Sequence, residues 1–217
     1  AHQAADWLQN HNGIYFTNPN PNENLTQHAP HFTRWLSHVA NHDELKASRI
    51  KAALFMILSN RFDWQLFIEV TGEGGSGKSI FTHIATLLAG QQNTASGNMA
   101  TLDQARGRAQ FVGKSLITLP DQVKYVGEGA GIKAITGGDL VEIYGKYEKQ
   151  FSTVLTAVVL ARNNEPMNFS ERQGGIARRR VIFAFNHPVK ESEKDPFIGE
   201  KIANELPVVI RALLAEF

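Results

Sequence analysis

The most constrained segment of this chain is a glycine-rich run that lies between a strand-like and a helix-like stretch. It reads Gly72, Glu73, Gly74, Gly75, Ser76, Gly77, Lys78 and Ser79, the complete pattern G-x-x-x-x-G-K-[ST]. Its glycines let backbone N–H groups turn inward around phosphate oxygens, and the helix that follows offers its positive end to the same anion. We expect Lys78 to reach the β- and γ-phosphates of a nucleoside triphosphate and Ser79 to ligate Mg²⁺.

The sequence on either side of this run supports that interpretation over a glycine-rich turn without a ligand. Residues 64–70 are rich in apolar and β-branched side chains and end two residues before Gly72. Residues 79–89 carry apolar side chains at helical spacing, and Gly90 then stops the helix. The segment is therefore predicted to be a strand, a phosphate-binding loop and a helix in succession.

Composition limits the class of protein. With 217 residues, 42% of them hydrophobic, the chain can bury a substantial core in one main domain. The sequence has no cysteine, which excludes disulfides and thiolate metal sites. It has no long apolar run and no signal-peptide pattern, so we expect a cytoplasmic protein without a membrane partner. The opening stretch, which starts at Ala1, has the character of mid-protein sequence and predicts a domain of a longer polypeptide.

The alternation of strand-like and helix-like segments predicts an α/β fold with a largely parallel sheet. Residues 10–31 are rich in Asn, His and Pro, which predicts a surface loop, and residues 43–61 carry one apolar helical stripe. Thr101 to Gln104 resembles a capping box that opens a helix ending near Gly113. We divide the chain into an N-terminal loop and helical segment, 1–60, and a core, 61–217.

Several residues outside the phosphate loop are candidates for chemistry. An NTPase needs an acid near Mg²⁺ and the attacking water, usually at the end of an adjacent strand, and Asp121 follows the apolar run 115–119. Asn163 follows the apolar run 155–161, at a strand tip where it could sense the γ-phosphate or be a plain turn residue. Asp and Glu also favour strand ends without any catalytic role.

Two groups of cations are further candidates. Arg178, Arg179 and Arg180 precede an apolar strand, and such a run is either a solvated face or a source of arginine for a neighbour's γ-phosphate. Leu140 to Phe151 alternates as a hairpin with its tip near Gly145. Three lysines lie around this insert, as exposed charges or as phosphate contacts to a nucleic acid: Lys133, Lys146 and Lys149.

As a set, these motifs resemble those of the superfamily III helicases of phages and plasmids, and more distantly poxvirus primase-helicases and parvovirus replication proteins. The resemblance covers about residues 45–190. The matching segments are residues 72–79 for motif A, 116–121 for motif B, 132–146 for the motif with the DNA-binding hairpin, 158–166 for motif C, and Arg178 and Arg179 for the arginine finger.

The resemblance implies a P-loop NTPase of the AAA+ type, with a three-layer core, a largely parallel sheet, a β-hairpin insert and a small N-terminal helical part. It also implies ATP and Mg²⁺ as cofactors and a homo-hexameric ring on single-stranded or forked DNA. The implied catalytic residues are Lys78, Asp121, Asn163, Arg178 and Arg179; Ser79 and Asp121 would hold the metal, and Lys133, Lys146 and Lys149 would contact DNA.

Two features depart from the family pattern. Motif B commonly ends in Asp-Glu or a lone Glu, whereas here it ends in Asp121, which leaves the catalytic base open between this residue and another acid such as Glu128. Asn163 and Asn164 are adjacent, and we choose Asn163 because it alone keeps the N-x-x-P spacing to Pro166.

The sequence is compatible with three functions. The first is an ATP-dependent DNA helicase domain of a phage or mobile-element replication protein, acting in the cytoplasm of a bacterial host. The second is an initiator or loader whose ATP binding assembles a ring without unwinding. A small-molecule P-loop kinase is the third, although it would not explain the hairpin insert or the arginines. The sequence leaves open whether a primase domain lies upstream.

Overall fold

The fold is built on a central parallel sheet. A computed structural model describes residues 11–122, 125–145, 150–171 and 173–217. In chain order the strands are β1 Phe67–Thr71, β2 Thr94–Ser96, β3 Leu116–Pro120, β4 Val126–Gly127, β5 Leu140–Ile143, β6 Phe151–Val154, β7 Val158–Asn163, β8 Asn168–Phe169 and β9 Arg180–Ala184. Five of them form one sheet in the order β2, β3, β7, β1, β9, with every neighbouring pair parallel.

Helices cover both faces of this sheet. They are α1 Leu25–His28, α2 Pro30–Ala40, α3 Glu44–Leu58, α4 Lys78–Ala89, α5 Met99–Asp103, α6 Ala105–Arg108, α7 Ala130–Gly137 and α8 Ile198–Glu216. Among the helices of the described residues, none combines the length and the apolar character needed to cross a bilayer.

Alternating strand residues divide the interior into two cores. In β7, Val158 and Leu160 face the core that α2, α3, α4 and α8 complete, whereas Val159 and Ala161 face the core that α5, α7 and the β5–β6 hairpin complete. Successive strand side chains point to opposite faces, so one short strand serves both cores. The result is a three-layer α/β sandwich with a largely parallel sheet, which confirms the predicted fold class.

The N-terminal helices share a core with the phosphate-loop helix. Trp35 of α2 packs against Phe81 of α4, with ring centroids 6.2 Å apart. Glu205 of α8 accepts hydrogen bonds from the backbone N–H groups of His31 and Phe32, at 3.0 and 2.8 Å, and so caps the start of α2. Both ends of the described chain therefore pack on the same face of the sheet. The division of the chain into two domains at residue 60 stays a prediction.

Two local predictions were wrong. The surface loop predicted over 10–31 ends earlier, because Asn24 caps α1 by accepting from the Gln27 N–H and Pro30 opens α2. The helix predicted to open at Thr101 begins at Met99. Thr101 is the third helical residue of a capping box whose N-cap is Asn98, and the helix breaks at Gln104. No prediction covered α8.

The predicted hairpin is confirmed. Strands β5 and β6 pair antiparallel, with Ile143 opposite Phe151 and Leu140 opposite Val154. The hairpin is an insert between β3 and β7, which are neighbours in the main sheet. Lys146 and Lys149, predicted to contact DNA from this hairpin, lie outside the described residues.

Candidate functional site

The glycine-rich run forms a loop at the carboxyl end of the central strand β1. Its geometry requires glycine at Gly72, where φ is +142° and a Cβ atom would lie 2.1 Å from the backbone oxygen of Phe185. The Gly72 N–H donates to the carbonyl of Asn164 at 3.1 Å, so the end of β7 supports the start of the loop. Helix α4 then begins at Lys78, directly behind the loop.

Lys78 is folded against the loop. Its side chain is buried, and its Nζ donates to the carbonyl oxygens of Gly72 and, at 2.7 Å, Glu73. Burial lowers the pKa of the Lys78 ammonium, and the positive charge of Arg162 lowers it further, against the opposing effects of Asp121 and Glu73. A phosphate group at the loop would give this buried cation a charged partner instead of neutral carbonyls.

The loop has the features expected for a bound phosphate group. The Ser76 hydroxyl is buried and has no hydrogen-bond partner in the described part of the chain. Ser76 lies inside the loop, where an anion would satisfy it, and the close contact at Gly72 leaves no room for a side chain there. These two observations fit a nucleotide phosphate at the loop.

Asp121 lies beside the loop because of the register of the sheet. Strand β3 pairs with β7 so that Pro120 is opposite Arg162, and the Asp121 N–H donates to the Arg162 carbonyl at 2.8 Å. Its φ of +44° is a left-handed conformation that costs a non-glycine residue about 1 kcal/mol or more, a kind of strain that clusters at functional sites. The exposed carboxylate is thus held close to the start of α4, where Arg162 links it to Ser79.

The oxygen groups available here fit a magnesium ion better than a transition metal. Within the described ranges, no three His, Cys, Asp or Glu side chains converge on one point. Mg²⁺ commonly uses one or two protein oxygens together with substrate phosphates and water. Ser79 and Asp121 are such a pair, since both contact the same side chain, that of Arg162.

Arg162 is a residue of this site that the sequence interpretation missed. Its guanidinium donates to Ser79 Oγ at 3.3 Å and to Asp121 Oδ2 at 3.1 Å. Strand alternation could have indicated it, because Val158 and Leu160 face α4 and the side chain two residues further must do the same.

Asn163 points to the other face of β7 and is buried. Its Nδ2 donates to Glu69 at 2.9 Å, and its Oδ1 accepts from the Gln122 N–H at 2.8 Å. Because Gln122 directly follows Asp121, Asn163 fixes the loop that carries the acid. Asn164 is exposed at the strand end. Sequence reasoning gave Asn163 a role at the γ-phosphate, which stays a prediction; these contacts give it a positioning role.

Glu69 is a fully buried carboxylate in the middle of β1, also missed from the sequence. Besides Asn163 it accepts from the Met167 N–H at 2.8 Å and from Arg180 Nε at 2.7 Å. Arg180 in turn donates to the Met167 carbonyl at 2.8 Å and lies over the ring of Phe169. A charged residue inside an apolar strand was the available signal, because such a charge requires a partner.

The other two arginines of the triplet lie on a short 3₁₀ turn. Arg178 is exposed, whereas Arg179 is half-buried and donates to the Gly175 carbonyl at 3.0 Å. Of the three arginines, Arg180 is paired with Glu69 within the chain, and the finger role expected for Arg178 and Arg179 stays a prediction.

Lys133 lies apart from this cluster. It is a half-buried residue of α7, and its aliphatic chain lies close to Gly175. Burial acts to raise the pKa of Glu171, but hydrogen bonds from backbone N–H groups within residues 173–176 and, to a smaller extent, the charge of Lys133 bring it below its usual value. Its predicted DNA contact, like those of Lys146 and Lys149, stays a prediction.

Comparison with protein families gives a family for the chain. A family model described as a family of unknown function, DUF5906, matches residues 70–195, more than half of the 217 residues. The chain belongs to the DUF5906 family. The matched segment of this DUF5906 member runs from the end of β1 to the loop after β9, so it contains the phosphate loop, Asp121 and Arg162.

Solved structures share the fold. The C-terminal region of NrS-1 matches with a TM-score of 0.68 at 16% identity, over 91% of this chain and 48% of that one. A second NrS-1 structure, of residues 305–718, matches with a TM-score of 0.66 over 93% of this chain and 47% of that one, again at 16% identity. JCV helicase matches with a TM-score of 0.51 at 13% identity, over 89% and 55%.

At this level of sequence identity, these matches establish a shared fold and not a shared activity. The chain spans about half the length of the solved structures it matches. Its likeness to the NrS-1 region and to JCV helicase shows that the chain shares their fold.

Proposed function

We propose that this chain is the ATP-dependent DNA helicase domain of a phage or mobile-element replication protein. It hydrolyses ATP to move along single-stranded DNA and to separate the duplex ahead. One observation carries the proposal: the same chain holds a phosphate loop at the end of β1 and an antiparallel hairpin inserted between β3 and β7. The shared fold with JCV helicase supports it.

Different residues of the site have different roles in phosphoryl transfer. The loop N–H groups and the Lys78 ammonium hold the phosphates, and Ser79 and Asp121 would hold Mg²⁺. When bound, Mg²⁺ neutralises charge that develops on the phosphate oxygens. Asp121 also orients the attacking water, and Asn163 keeps Asp121 in place through the Gln122 N–H. Within one subunit, these residues contribute positioning and electrostatic stabilisation.

A ring completes the site. We propose a homo-hexamer in which Arg178 or Arg179 of one subunit reaches the γ-phosphate of its neighbour, where an arginine stabilises transition-state charge. In this arrangement Arg179→Ala and Lys78→Ala subunits complement each other, because each mixed interface can contain one intact site. We expect partial recovery of ATPase activity on mixing, with Arg178→Ala tested in parallel. No recovery at any ratio for either variant contradicts a finger in trans.

DNA is contacted locally. A formal net charge of +1 provides no broad basic face, so we propose that Lys146 and Lys149 of the hairpin, with Lys133, contact the phosphate backbone in the channel of the ring. Such contacts tolerate any sequence. The substrate is forked or single-stranded DNA in the cytoplasm of a bacterial host, and an upstream primase domain is compatible with this role.

A strand-displacement assay on 3′- and 5′-tailed forks with ATP tests the proposal. We expect unwinding by the wild type and none by Lys78→Ala, while Lys51→Ala, which removes a lysine bound to Glu216, serves as the matched control. ATPase activity stimulated by single-stranded DNA without displacement would instead favour the initiator or loader. ATPase activity indifferent to DNA would contradict both.

A further inference from the structure

One guanidinium group contacts both protein groups that the proposed metal site requires. Arg162 donates to the hydroxyl of Ser79 at 3.3 Å and to the carboxylate of Asp121 at 3.1 Å. Its side chain is 25% exposed, against 65% for that of Asp121, so the arginine is the better shielded partner. The cation thus lies between α4 and the end of β3.

The backbone and the side chain of Arg162 have separate effects on Asp121. The Arg162 carbonyl accepts from the Asp121 N–H at 2.8 Å, and the strand register that brings them together involves main-chain atoms alone. Replacing the Arg162 side chain therefore keeps the main-chain support of Asp121 and removes the guanidinium with its two hydrogen bonds. This separation makes the role of the guanidinium accessible to experiment.

Two cations compete for the same oxygens. A divalent ion held by Ser79 and Asp121 would be repelled by the guanidinium, since both carry positive charge and the guanidinium already contacts Ser79 Oγ and Asp121 Oδ2. A guanidinium also binds phosphate oxygens well, often through two parallel hydrogen bonds. Phosphate groups at the loop therefore offer Arg162 an alternative partner when it leaves Asp121.

We propose that Arg162 is a positioning residue that makes metal binding depend on nucleotide. Its guanidinium occupies Ser79 and Asp121 until nucleotide phosphates draw it away, and it then contributes a cation from the same subunit to those phosphates. This inference rests on the proposed nucleotide site. It predicts that the metal binds weakly without nucleotide and that the Arg162 side chain is the reason.

The test measures Mn²⁺ binding in the absence of nucleotide, from the electron paramagnetic resonance signal of the free ion. We expect Arg162→Gln to bind Mn²⁺ on the order of tenfold more tightly than the wild type, because a like charge beside the ligands is removed. Adding Asp121→Asn to Arg162→Gln should abolish the gain. Arg61→Gln is the matched control, since Arg61 also pairs with an aspartate, Asp63, but away from the loop.

Arg162→Met provides a second charge-free variant of similar length, so that the test stands if one of the two fails to fold. Equal Mn²⁺ affinity in the wild type and in any folded charge-free variant overturns the inference. Binding of a fluorescent ADP to the wild type, and its loss in Lys78→Ala, is measured separately. Failure of nucleotide binding would refute the proposed function, whereas the Mn²⁺ comparison, which uses no nucleotide, decides the role of Arg162 by itself.

Discussion

Removal of the buried carboxylate at Glu69 should destabilise the whole fold. Glu69 is fully buried and forms hydrogen bonds with Asn163, the Met167 N–H and Arg180, whose side chain is only 15% exposed. Glu69→Ala leaves the Arg180 charge buried without its partner, which costs about 3–5 kcal/mol. The free energy of unfolding of a domain is about 5–15 kcal/mol in total, so this loss is a large fraction of the stability.

Chemical denaturation followed by circular dichroism measures the free energy of unfolding of Glu69→Ala. In thermal denaturation, its melting temperature should fall by about 6–20 °C. Glu193→Ala is the control, because Glu193 is 63% exposed and lies 3.8 Å from Lys190, so its removal should change stability by less than about 1 kcal/mol. A double variant, Glu69→Met with Arg180→Met, should recover much of the loss, since no unpaired charge remains. A Glu69→Ala protein within about 1 kcal/mol of the wild type would refute the reasoning.

Three further predictions concern the loop, pH and DNA. Gly72→Ala should abolish binding of a fluorescent nucleotide, because its Cβ would lie 2.1 Å from a backbone oxygen, whereas Gly74→Ala, which meets nothing within 4 Å, should bind normally. The hydrogen bond from Arg211 lowers the pKa of Glu23 from 4.5 to about 2. This pair therefore stabilises the fold above pH 4.5, and its contribution is lost as the pH falls toward 2. Urea denaturation at several pH values should show a smaller pH dependence for Glu23→Gln than for the wild type. Lys146→Ala should weaken single-stranded DNA binding and reduce its salt dependence in a salt titration, and identical curves would remove Lys146 from the DNA path.

The phosphate loop and its neighbours could be predicted because their signals are local. A strand, a glycine pattern and a helix follow one another within about 25 residues, and each has its own periodicity or residue preference. The hairpin was predictable for the same reason. The capping box was assigned to the wrong residue because Asn98 and Thr101 both have side chains that can cap a helix, and the pattern alone does not choose between them.

The contacts within the site could not be predicted in this way. Arg162 reaches Asp121 only because β3 and β7 pair in one register, and strand order is a long-range property of the chain. Likewise, the charged partner of Glu69 is Arg180, which lies more than a hundred positions later in the sequence. The position of α8 depends on apolar burial against α2, α3 and α4, which no short motif records.

The central place of β1 in the sheet has a consequence for synthesis. Its two neighbours, β7 and β9, lie about ninety and more than a hundred residues later in the chain. Pairing of such distant segments is slow because the long intervening loops must close first. The phosphate loop at the end of β1 therefore cannot acquire its supports, the Asn164 carbonyl and the Phe185 backbone, until the ribosome has made most of the domain. A nascent chain should bind nucleotide only after most of this domain has been made, so ATP can stabilise the finished domain but cannot guide its early folding.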